Sequence, residues 1–197
     1  MQAIKTLIIV AAITMIGVVG FAYSGIYDIS ADSAHSGFTK WLFSTTKHAS
    51  VALQASDIEV PDLDDDALIL AGINDFNGMC VACHGAPGQA AEAMGKGMNP
   101  APPDLAEEAE ELSAAELFWV TKHGIKMTGM PAWGLTHDDD TIWPVIAFMK
   151  KLPEIDAAQY QEMLGRAGGL GHHADDAATS DELPQEPEEH DHSSHDH

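Results

Sequence analysis

Cys80-Val81-Ala82-Cys83-His84 contains both cysteines of the 197-residue chain. C-x-x-C-H is the attachment pattern of a c-type haem. Two thiols three residues apart can each bond a haem vinyl group, and the histidine that follows serves as the proximal iron ligand. Because no thiol is left over, neither a disulfide framework nor a four-cysteine zinc site can be built. A thioredoxin-like redox pair would sit at a strand-to-helix turn and would not need His84. A zinc ribbon would need a second cysteine pair.

Upstream of the motif, Asp64-Asp65-Asp66 can cap a helix and complement its dipole. Ala67, Leu68, Leu70, Ala71, Ile73 and Phe76 form its apolar stripe, running to Met79, and Gly72 shares a face with Phe76. Downstream, Gly85-Ala86-Pro87-Gly88 breaks the chain, Ala90–Gly97 reads as small and flexible, and Asn99-Pro100-Ala101-Pro102-Pro103 is incompatible with helix. The next helix is predicted over Ser113–His123, with Ser113 and Glu116 as a capping box and Gly124 as the stop. The last clear helix is predicted from just after Asp138 to about Leu152. Pro144 is tolerable there if Asp140 or Thr141 is the cap. Glu154–Leu164 adds a short helix, and no strand is predicted.

A haem held by His84 needs a second axial group or an open position. Met127 and Met130 lie in the loop Gly124–Gly134 between two helices. A thioether on a stiff loop favours ferrous iron and raises the potential. Met130 is the better candidate, since Gly129 allows close approach and Pro131 fixes the following turn. Met127 is expected to pack.

On these motifs residues 64–153 resemble a class I c-type cytochrome: a first helix with Gly72 and Phe76, CVACHG, PAPPDL, the loop GMPAWG, and the last helix TIWPVIAFMKKLP. The resemblance implies an all-α fold around one covalent haem c, bonded by Cys80 and Cys83, with His84 and Met130 as iron ligands. It implies that Gly72 and Phe76 pack against Trp143 and Phe148. It also implies that a carbonyl of the Pro100–Pro103 run receives the Nδ1–H of His84, which orients the ring. The preceding segment is similar, less specifically, to the leader of membrane-anchored monohaem cytochromes of Gram-negative bacteria.

The chain carries 31 acidic and 9 basic side chains, a formal charge of −22, and this disfavours nucleic acid or an anionic membrane surface as partner. It favours a basic protein partner or cations, and for a haem protein that means redox proteins with a basic docking face. Leu7–Tyr23 carries no charge, which suits a short membrane-spanning helix; Gly20-Phe21-Ala22 leaves a cleaved signal peptide as the rival. Lys5 stays inside, so the chain is expected as a single-pass protein of the inner (cytoplasmic) membrane with its haem domain in the periplasm.

Four regions follow: 1–23 as anchor, 24–63 as exported linker, 64–164 as cytochrome domain and 165–197 as an acidic tail. Within the linker, Gly37–Ala55 reads as an amphipathic helix interrupted at Ser44-Thr45-Thr46, with Pro61 ending the element. His35 and His48 there are assigned no metal. The tail offers His172, His173, His190, His192, His195 and His197 among nine carboxylates, donors that suit divalent copper, zinc or nickel. The leading expectation is a one-electron carrier, not an enzyme, with no small-molecule substrate. The alternatives are a haem enzyme or gas sensor in which methionine is displaced and His123 acts distally, and a metal-handling protein with an auxiliary haem.

Overall fold

A computed structural model describes residues 1–168. They are helical, with no strand among them beyond an isolated bridge between Ala86 and Gln89. The chain divides into two compact units, Met1–Thr45 and a second beginning at Thr46.

The first unit holds α1, Gln2–Tyr23, and the start of α2, Gly37–Ala55. α1 carries no charge after Lys5, is exposed along its length, and is long and apolar enough to cross a membrane. α2 has the expected bounds, Gly37 to Ala55, but runs without the break expected at Ser44-Thr45-Thr46 and is over well before Pro61. Three hydroxyl residues lower helix propensity by only tenths of a kcal/mol each, too little to split nineteen residues.

In the second unit α3, Asp66–Met79, packs along α8, Asp139–Lys151, and this pair forms the core. Asp65 caps α3 by accepting from the Ala67 N–H. Gly72 is needed where the two helices touch, because a Cβ there would overlap the Pro144 carbonyl and stand 2.9 Å from Val145 N. Phe76 meets Phe148 edge-on at 5.0 Å, as expected of the family. Trp143 does not join them. It stacks instead on Phe118 at 4.0 Å, on the side facing α7, Ala114–His123.

Asp138 caps α8 through the Thr141 N–H, two residues before the earliest cap expected. Pro144 therefore lies inside the helix rather than in its first turn. Asp138 wins because its carboxylate reaches both the Thr141 N–H and the Thr141 hydroxyl. α9, Ala157–Arg166, is strapped to α3: Tyr160 donates to Asn77 Oδ1 at 2.9 Å and Asn74 donates to the Ala167 carbonyl at 2.5 Å. Packing thus reaches buried Ala167, past Leu164. Burial pushes the Tyr160 hydroxyl up to about 12, so it stays a neutral donor.

Two short helices arise where none was expected. α5, Ala93–Lys96, lies within the glycine- and alanine-rich stretch, and α6, Leu105–Glu111, follows the proline run. Asp104 caps α6 through the Ala106 N–H. The Lys150 ammonium donates to the Ala109 and Leu112 carbonyls at its other end. α7 begins with the predicted capping box, in which Ser113 Oγ accepts from Glu116 N–H and the Glu116 carboxylate accepts from Ser113 N–H at 2.9 Å.

These bonds hold the Glu116 carboxyl below its usual range. Its folded pKa is depressed, so this contribution is present at neutral pH and is lost as pH falls through the carboxylate range. Ser113→Ala should lower stability at pH 7 by about 1 kcal/mol. Urea unfolding measures it, and the deficit should shrink toward pH 3.

Candidate functional site

The C-x-x-C-H segment forms the junction between α3 and a single turn, α4, Val81–His84. Cys80 closes α3 through its N–H to the Phe76 carbonyl, and its own carbonyl accepts from Cys83 and His84 N–H at 3.1 and 2.9 Å. One helical turn thus brings both sulfurs and the imidazole to one end of the α3–α8 pair. Gly85, at φ 76°, then reverses the chain.

Cys80 is buried and Cys83 half-buried. Burial, with Cys83 alongside, pushes the Cys80 thiol up to about 12. A thiol–disulfide exchange site needs a lowered thiol pKa. This environment is the opposite of a thioredoxin-like pair, in keeping with the absence of a strand here.

His84 Nδ1 lies 2.8 Å from the Pro103 carbonyl. Of the four positions left open in the proline run, Pro103 is the one that meets the ring. A carbonyl only accepts, so Nδ1 carries a proton, and in the neutral ring Nε2 then keeps the lone pair that ligates iron. Asp104, the cap of α6, follows directly, so the fold of α6 fixes the position of that carbonyl.

Met130 is half-buried in the loop after α7. The loop ties itself together: Thr128 Oγ1 donates to the Ile125 carbonyl at 2.8 Å and accepts from Met130 N–H at 3.1 Å, while Ile125 N–H donates to the Met130 carbonyl at 3.3 Å. Gly124 sits at φ 63°, where a Cβ would stand 2.7 Å from both the Met130 and Pro131 carbonyl oxygens. Lys122 and Asp139, paired at 2.5 Å, fasten the ends of α7 and α8 across the loop.

Met127 does not pack, as had been expected. It is 93% exposed at a φ of 62°, on the tip of the loop. A thioether from outside the loop also approaches it: Met98 Sδ lies 2.5 Å from where a Cβ on Gly129 would stand. Sequence reasoning missed Met98 and Thr128, because neither pattern nor spacing ties them to the motif. Gly95 lies just before Met98, and a Cβ there would overlap the Cys83 carbonyl. The stretch 93–98 therefore lies between the thiol turn and the methionine loop.

His123 ends α7 exposed, with its ring 5.0 Å from that of Trp119. No cluster of three or more histidine, cysteine or acidic side chains suited to a metal ion occurs among the described residues. The six tail histidines lie outside the described residues.

Two thiols on one helical turn, an imidazole with Nδ1 on a carbonyl, and a self-braced methionine loop all fit a c-type haem. A helical domain so equipped has the design of a c-type cytochrome. A family model described as cytochrome c oxidase, cbb3-type, subunit III matches residues 67–149, and this domain is a class I c-type cytochrome. No curated protein and no solved structure matches the chain. The domain accordingly implies a c-type haem and redox protein partners, and domains of this type are typically electron carriers rather than enzymes. The apolar α1 fits a single-pass membrane anchor.

Proposed function

We propose that the chain is a one-electron carrier bearing a single haem bonded by Cys80 and Cys83, with His84 and Met130 as axial ligands. α1 would hold it in a bacterial inner membrane with the cytochrome domain on the periplasmic side. When bound, the haem supplies reversible one-electron chemistry. The observation that carries this reading is the bond between His84 Nδ1 and the Pro103 carbonyl, one turn from both thiols.

The residues of the chain have distinct roles in it. The Pro103 carbonyl orients the imidazole and raises its basicity. Thr128 holds the Met130 backbone, and Phe76, Met79, Val81 and Phe148 form buried apolar surface beneath the thiol turn. Apolar surroundings and thioether ligation both favour the reduced state.

Replacing Cys80 and Cys83 together by alanine should abolish haem that survives denaturing electrophoresis. Intact protein should show the mass of one haem, and a second haem or none would reject the reading. With a net charge of −22, electron transfer to a basic redox protein should slow several-fold between low and high salt, since screening shortens electrostatic steering. Stopped-flow rates against ionic strength measure this. A salt-independent rate would place docking on an uncharged face.

A further inference from the structure

α2 carries an exposed apolar stripe. Phe38, Leu42, Ala49 and Leu53, with Thr45 among them, recur at three- and four-residue spacing and so line one face. Trp41 lies beside Phe38, the two rings 5.9 Å apart. Phe38, Trp41 and Leu53 are 69%, 60% and 72% exposed. The buried residues of the helix, Val51 and Ala55, lie on a different face. Soluble monomers seldom leave such a stripe bare.

Charge and tether indicate what covers it. The chain has 31 acidic residues but none between Gly37 and Ala55, where Lys40 and Lys47 stand instead. The overall charge disfavours an anionic surface, and α2 is a local exception to it. Only residues 24–36 separate α1 from α2. Fully extended they reach about 45 Å, so α2 cannot leave the neighbourhood of a bilayer that α1 crosses. Tryptophan and phenylalanine on one face with lysine on another is the composition of a helix lying in a membrane interface.

We propose that α2 is such a helix, its Phe38–Trp41–Leu42 face seated at the headgroup–acyl boundary and its lysines drawn to anionic headgroups. This rests on the reading of α1 as a retained anchor.

The test uses the full haem-loaded chain in vesicles of phosphatidylcholine and phosphatidylglycerol at three to one, the phosphatidylcholine either ordinary or brominated on its acyl chains. Brominated lipid should quench a component of tryptophan emission that is present in wild type and missing in Trp41→Phe. Lys40→Glu with Lys47→Glu should diminish that component. Equal quenching of wild type and Trp41→Phe would overturn the proposal. So would a blue-shifted Trp41 that bromine leaves bright and that depends on the protein-to-lipid ratio, which would assign the stripe to a second copy. Flotation of the vesicles after an alkaline wash reads α1 separately, so a chain that floats without Trp41 quenching refutes the seating of α2 and leaves the anchor standing.

Discussion

Met130→Ala is expected to remove the weak far-red band that marks methionine on ferric iron and to lower the reduction potential by a sizeable fraction of the roughly 0.8 V that axial ligands control. The loop should survive the change. Its bonds run through Thr128 Oγ1, the Ile125 and Met130 backbone and Gly124, none of which is the Met130 side chain. The fold should therefore be retained while the ligand field changes. Met98→Ala is the matching control, since its sulfur approaches the loop at Gly129 while Met127 is exposed at the tip. It should keep the band, with at most a small shift in potential from the altered packing on Gly129. The reverse result, a band kept in Met130→Ala and lost in Met98→Ala, would transfer the ligand role to Met98. Optical spectra and potentiometric titration of the two variants decide it.

Gly72→Val is expected to have the largest effect on stability. A Cβ at this position overlaps the Pro144 carbonyl and crowds Val145 N, both of them backbone atoms of the partner helix. No side-chain rotation relieves that contact, so α3 and α8 must separate. Overpacking of a tight core costs about 1–3 kcal/mol, and more where backbone must move. The separation would also loosen Phe76 from Phe148 and Tyr160, the aromatic cluster of the core. A loss of at least about 3 kcal/mol is a large share of the 5–15 kcal/mol typical of a domain. Guanidinium unfolding of haem-loaded protein measures it. Gly165→Ala, on α9 where an added Cβ would meet nothing within 4 Å, should by contrast be close to neutral.

The helices that carry the haem motif and the core were legible in the sequence because each announces itself locally. Ser113 and Glu116 close a capping box, Gly124 takes a positive φ, and Gly72 and Phe76 share one face. The failures are equally local in origin. The Asp104 cap was hidden by the proline run before it, so α6 went unread. Pro144 favours a later cap in the sequence, but Asp138 caps α8 and the helix accommodates the proline in its interior.

Within the candidate site, the thiols, His84 and Met130 could be named from type and spacing. Pro103 could be narrowed only to a run of residues, since the choice depends on where α6 sets its backbone. Met98 and Thr128 could not be named at all. Their places follow from the folded approach of the 93–98 stretch and from hydrogen bonds closed inside the methionine loop. Trp143 is ambiguous for a related reason: its position on α8 allows a turn toward either α3 or α7, and stacking on Phe118 settles it.

The optical spectrum of the exported, haem-loaded protein tests the central claim most directly. A covalent haem held by His84 and Met130 predicts a low-spin spectrum in both oxidation states, with the far-red band in the ferric form and a reversible one-electron transition between them. A high-spin ferric spectrum, or a ferrous form that binds carbon monoxide readily, would show an open coordination position and contradict the account of this chain as an electron carrier.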